Sequence, residues 1–170
     1  MPDTPDTPLR VAKTLDELPD MADLTGRSGL EFMQDILAGR LAGPPIGATL
    51  GFCPVSVAVG EVAFEGVPEF AVTNPMRGVH GGWYGAILDS CMACAVMTML
   101  ARGQVYTTLE YKVNITRAVP LGLRVRAVGK VAHAGRRTGV ASGELRGLED
   151  GKLYATGSTT CLIMDAPAGG

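Results

Sequence analysis

The sequence predicts an α+β domain: one antiparallel β-sheet wrapped around one long central helix, with a short N-terminal helix. Three observations predict it. Residues 83–101 are largely apolar and hold a single acid, Asp89. A helix that is apolar on all sides is a buried one, so other elements must surround it. Six further stretches alternate apolar and polar residues or are rich in β-branched ones, which is the pattern of strands. Their order is short helix, two strands, long helix, four strands, which gives one apolar helix one sheet to lie against.

Taken in order, residues 1–25 are rich in Pro, Asp and Thr and read as a flexible N-terminal arm. Residues 26–166 read as a single domain and 167–170 as a C-terminal tail. Ser28 caps a short helix with Glu31 at its third position, and Leu30, Phe32, Met33, Ile36, Leu37 and Leu41 are its apolar positions. Gly43-Pro44-Pro45 stops it. From Ile46 the pattern turns to β, with strands expected over 49–60 and 61–70. Asn74 to Gly78 is a loop. Gly81 or Gly82 opens the long helix, which is expected to run to Arg102-Gly103. Strands follow over 106–116, 123–132, 138–148 and 153–164. The Asp150-Gly151 pair marks the last hairpin.

Composition excludes several classes. The 170 residues fit one domain with a real core. Net charge is −2 with no basic stripe, which argues against nucleic acid as a partner. A charged fraction of 19% is low and suggests surface hidden between subunits. No stretch is long and apolar enough to span a membrane. The N-terminus lacks the basic start and apolar core of a signal peptide, so the expectation is a cytoplasmic protein. Cys91 and Cys94 form a C-x-x-C in mid-helix among apolar residues, where they read as buried small side chains. They lack the context of a redox pair or a metal site, and no metal is expected.

The chemistry concentrates in Asn74…His80-Gly81-Gly82…Asp89. An acid in an apolar segment must find partners or shift its pKa. The first N–H groups of a helix have no intrahelical acceptor and sit at the positive end of its dipole. Glycine there lets a ligand approach the backbone, which suits a carbonyl oxygen that turns negative in a transition state. A plain glycine-rich helix start explains Gly81 and Gly82 as well, and Asp89 could cap a backbone or pair with Arg102. Small residues, Gly85 and Ala93, flank Asp89 on its own helix face and leave room for a ligand or a close neighbour. The nine residues from Gly81 to Asp89 rise about 13.5 Å, whereas reacting groups must come within roughly 3–3.5 Å. If both groups act on one carbonyl, Asp89 of one chain must meet Gly81 of another across a two-fold interface. Asn74 could orient a leaving group or water, and His80 could bond the loop or the ligand. Arg136-Arg137 before Thr138 could grip phosphate, or could be a solvated turn.

The run Asn74-Pro-Met-Arg-Gly-Val-His80-Gly81-Gly82 followed by Leu88-Asp89 resembles the PaaI-like group of hotdog-fold thioesterases. So do the strand Tyr106-Thr-Thr-Leu-Glu-Tyr-Lys-Val-Asn114 and the turn His133-Ala-Gly-Arg136-Arg137-Thr138. The resemblance spans about residues 30–164. It implies a hotdog fold and an acyl-CoA thioesterase acting on aryl or medium-chain acyl groups, with CoA as part of the substrate and no cofactor. It further implies a homodimer, assembled into a homotetramer. The family's catalytic positions fall on Asp89, Gly81, Asn74 and His80. Its substrate-binding positions fall on Gly82, Trp83, Thr107, Thr108, Arg136, Arg137 and Thr138, although Trp83, like Tyr84, could instead be core. After Asn114 the chain reads Ile-Thr-Arg-Ala, a departure from the aromatic and Arg-Pro common in the family. Two other readings compete: a silent acyl-CoA-binding protein, and a hotdog dehydratase. Gly-Gly-Trp after His80, in place of Phe-Pro-Gly, argues against the dehydratase.

Overall fold

The computed structural model describes residues 9–166. The expectations for residues 1–8 and for the tail 167–170 lie outside them. Its elements are helices α1 (Met21–Thr25), α2 (Gly29–Leu37) and α3 (Pro45–Leu50), strands β1 (Phe52–Ala58) and β2 (Glu61–Gly66), the long helix α4 (Gly81–Met97), and strands β3 (Gln104–Ile115), β4 (Val125–Ala134), β5 (Thr138–Gly147) and β6 (Leu153–Asp165). The six strands form one antiparallel sheet in the order β1-β2-β4-β5-β6-β3. The predicted fold class holds: the sheet curls around α4, whose side chains from Trp83 to Met97 are mostly buried.

A row of glycines lets the helix lie that close. Gly129 on β4, Gly143 on β5 and Gly157 on β6 stand directly opposite one another. A Cβ at Gly129 would fall 2.2 Å from the Cys91 carbonyl oxygen. At Gly143 and Gly157 it would meet the Met92 side chain at 2.9–3.0 Å. The sheet therefore has a trough where α4 crosses, and Met92 and Leu88 fill it with no exposed surface.

Several expectations need correction. Residues 9–25 are not a loose arm. Val11 bridges Gly43, Ala12 donates to the Gly43 carbonyl at 3.0 Å and is buried, and α1 carries its own capping box between Asp20 and Asp23. The Thr25 carbonyl accepts the Gly103 N–H at 3.0 Å and ties the segment to the end of the α4 turn. Residues 45–50 form a helix where the β pattern was expected to begin, at the cost of the first residues of the strand expected over 49–60. Pro44 and Pro45 preset the backbone for its start, and Gly51, at φ 74°, ends it. The first strand thus begins at Phe52. The second strand ends at Gly66, because Pro68 and a 3₁₀ turn over Phe70–Val72 follow. Helix α4 ends at Met97, short of Arg102. The Thr98 hydroxyl turns back to the Ala95 carbonyl at 2.7 Å and accepts the Gly60 N–H at 2.8 Å, competing with the helical ladder. The capping box at Ser28 and Glu31 is present as read. No helix among the described residues is long and apolar enough to cross a membrane.

Candidate active site

The loop before α4 is built by its own side chains. Asn74 Oδ1 accepts the N–H groups of Met76 at 2.9 Å and Gly78 at 3.2 Å, and Asn74 Nδ2 donates to the Val79 carbonyl at 3.4 Å. Arg77 takes a left-handed backbone, φ 64°, inside this turn. Asn74 therefore shapes the loop, a different task from orienting a leaving group or water. His80 is the N-cap of α4, and its Nδ1 accepts the Gly82 N–H at 2.9 Å. That bond uses a neutral ring nitrogen and leaves Nε2 as the outward group. It also removes the Gly82 amide from ligand binding. The Gly81 N–H has no acceptor among the described residues and stays exposed at the helix start.

Asp89 lies two turns further on and is half-buried. Thr108 on β3 donates to its Oδ1 at 3.2 Å. Burial raises its pKa above the usual carboxylate range, and the Thr108 hydrogen bond offsets part of that rise. The groups around it are neutral: Cys94, Tyr106 and Cys161 all feel its charge. Burial pushes the Cys94 thiol up to about 12, and burial likewise holds the Tyr106 phenol protonated.

The chain's other withdrawn acid is treated differently. Glu65 is 7% exposed and is paired with both Arg124 and Arg126. Asp89 has no such cation among the described residues. Arg102, the sequence's candidate partner, reaches Glu31 instead. A half-buried carboxylate with one hydroxyl partner is free to accept a proton, and a doubly ion-paired one is not.

The remaining predicted positions separate into groups. Thr108 lies on the inner face of β3, against Asp89 of α4. Thr107 points to the outer face, where it lines up through Leu162 with Thr138 on β5. Arg136 and Arg137 form the β4–β5 turn. With Ile163, Met164 and Asp165 they line a cavity of about 360 Å³. Of the two readings open for Trp83, the structure favours core over substrate contact: it is 2% exposed, its Nε1 donates to the Leu50 carbonyl at 2.8 Å, and it meets Tyr84 edge-on. Cys91 is buried and unpaired, and Cys91 and Cys94 form no disulfide, in keeping with their mid-helix setting. No group of three or more His, Cys, Asp or Glu among the described residues could hold a metal.

Sequence reasoning missed Tyr111. A Cβ on Gly85 would sit 3.1 Å from its hydroxyl, so the phenol covers the helix one turn before Asp89. It occupies the space that Gly85 was expected to leave for a ligand. The cause is a β-bulge between Thr108 and Glu110. Without it, strand alternation would turn Glu110 and Lys112 inward. The extra residue, Leu109, flips the register and brings in Tyr111, Val113 and Ile115.

Residues 77–154 match the thioesterase superfamily. Among solved structures, the chain is similar to a phenylacetic acid degradation-related protein of Ralstonia eutropha. The two are 31% identical over 76% of this chain and 97% of that one, with a TM-score of 0.69. The chain belongs to the thioesterase superfamily. A conserved protein of Pseudomonas aeruginosa is 32% identical over 70% of this chain and 93% of its own, at a TM-score of 0.65. A mutant of the phenylacetic acid degradation protein PaaI of Thermus thermophilus is 28% identical over 69% and 97%, at 0.63. Comparison with curated proteins returned no match. For a thioesterase, the exposed Gly81 amide and the unpaired Asp89 are the two groups whose chemistry fits hydrolysis of a thioester.

Proposed function

We propose that the protein hydrolyses acyl-CoA thioesters carrying aryl or medium-chain acyl groups, with Asp89 as the acid and the Gly81 amide of a partner subunit as the carbonyl-polarising group. The observation that carries this reading is Asp89 itself, half-buried with a hydroxyl and no cation beside it. In the reaction, Asp89 takes a proton from water. The water oxygen bonds to the thioester carbon, whose oxygen becomes negative against the Gly81 N–H. The C–S bond then breaks, and the thiolate leaves and takes up the proton. His80 and Asn74 act as positioning residues, since their side chains hold the backbone that presents Gly81. The chemistry draws on water and these groups, with no resident cofactor.

Geometry supports a homodimer. Asp89 packs at Thr108 and Gly81 packs at Ile115, so one chain holds the two groups apart. Strand β3 is a twelve-residue edge of the sheet. It exposes Leu109, Tyr111 and Ile115 at 60%, 48% and 49%, an edge that calls for a cover. A second copy laid antiparallel against β3 and the exposed side of α4 brings each Asp89 towards the other chain's Gly81. Pairing of two such dimers gives the homotetramer. The guanidiniums of Arg136 and Arg137 suit the phosphates of CoA. We further take the reaction to be cytoplasmic.

The test is thiol release from a panel of acyl- and aryl-CoA thioesters by the native protein and by Asp89→Asn. The variant is expected to lose about 10²-fold or more in kcat while still binding CoA. Turnover that survives the substitution moves the chemistry to another group. CoA binding without turnover by the native protein returns the chain to a silent binding role.

A further inference from the structure

An apolar cavity of about 420 Å³ lies between the N-terminal segment and α4. It falls in the roughly 300–1,000 Å³ range of small-molecule sites. Its floor is Ser90, Cys94 and Met97 of α4 with Tyr106 of β3. Those helix positions follow an i, i+4, i+7 stripe directly beside Asp89. Tyr106 is two residues before Thr108 on the same strand face. The floor thus begins at the neighbours of Asp89 on both elements that hold it. Its roof comes from residues 9–54, with Leu18, Ile36 and Ala48 among them, all outside the part matched by the family.

The lining is nearly without chemistry. Arg10 is the one charged residue in it, and Arg10 is exposed. The Ser90 hydroxyl is already spent on the Ala86 carbonyl at 2.8 Å. The other polar side-chain groups of the lining are the Tyr106 hydroxyl and the Cys53 and Cys94 thiols, which burial keeps uncharged. We infer that this cavity is the acyl site, that it takes apolar, uncharged acyl groups, and that the N-terminal segment sets the acyl length. The acyl chain would run from the carbonyl at Asp89 along α4 and under α3. This inference rests on the thioesterase reading of Asp89 for its chemistry, but the cavity can be tested without it.

The experiment uses Ala48→Trp, which fills the cavity from an exposed helix position, and Ile46→Trp, which fills it from the start of the same helix should the first fail to fold. Thiol release is measured with acetyl-, octanoyl- and succinyl-CoA, and octanoic acid binding is followed by calorimetry. The native protein is expected to prefer octanoyl over succinyl. A folded variant is expected to lower the octanoyl-to-acetyl ratio of kcat/KM about tenfold and to weaken octanoic acid binding. An unchanged ratio with unchanged binding overturns the acyl site and leaves hydrolysis standing. If no thioester is cleaved by the native protein, yet octanoic acid binds and each Trp variant weakens it, the hydrolysis reading falls and the cavity stands.

Discussion

The N-terminal cover and the sheet-and-helix body are stabilised in different ways. The body rests on long-range register: six strands, and a glycine row on which one helix sits at backbone distance. The cover, residues 9–50, is made of helices of five, nine and six residues. Helices that short have little stability of their own and depend on caps and on the surface beneath them. The difference separates two tasks. The groups that the proposed reaction needs held still, Asp89 and Gly81, sit on the body's long helix. The lining that would select an acyl group comes largely from the cover, where residues can change without disturbing the sheet.

The comparison breaks most sharply at Gly129. Its absent Cβ is what permits β4 to meet the backbone of Cys91 and Met92, and backbone cannot step aside as a side chain can. Gly129→Ala is expected to destabilise the whole domain by about 3 kcal/mol, read as a lower urea midpoint. A loss under half of that would mean that α4 can lift off the sheet, and the body would be no stiffer than the cover.

The cover should respond locally and less. Ser28 Oγ accepts the Glu31 N–H at 3.2 Å, and Glu31 returns the bond to the Ser28 N–H at 2.8 Å. Ser28→Ala removes one half of this box and is expected to cost about 1 kcal/mol. Hydrogen exchange should place the loss in α2, with the amides of β5 and β6 unchanged. Protection lost evenly across the molecule would show that cover and body unfold as one.

What the sequence revealed follows the same division. The Ser28–Glu31 box, the Asp150-Gly151 turn and the apolar run of α4 are signals carried within a few residues, and each was legible. The bulge at Leu109 was not, because it is a choice between two registers made by packing against α4 and β6. Tyr111 was lost with it. The α3 helix was missed because Ile46, Ala48 and Leu50 alternate as a strand would, and only Pro44-Pro45 opposed that reading. Trp83 was open to two readings, substrate contact or core, until the Leu50 carbonyl, 33 residues away, was found on its indole nitrogen. The constellation of Asn74, His80, Gly81 and Asp89 was visible in the chain. Its division into a loop builder, a cap, an open amide and an unpaired acid needed three dimensions.

The finest test of the body concerns the one hydrogen bond on Asp89. To take a proton from water, Asp89 must be ionised, so kcat/KM should fall on the acid side as pH drops through its pKa. Burial raises that pKa, and the Thr108 hydroxyl works against the rise by favouring the charged form. Thr108→Val leaves burial unopposed. The acid limb of the profile is therefore expected to move to higher pH, and Thr108→Ser to restore it. The same linkage has a stability side. The folded state holds the Asp89 proton more tightly than the unfolded chain, whose carboxylate titrates near about 3.9. Asp89 thus favours folding when protonated, and that contribution is lost as pH rises from the unfolded value through the raised folded one. Thr108→Val widens this window, so the variant should lose more stability than the native protein between acid and neutral pH. An acid limb that stays in place while stability shifts would separate the two roles. It would mean that Thr108 holds Asp89 in the fold but that another group sets the rate.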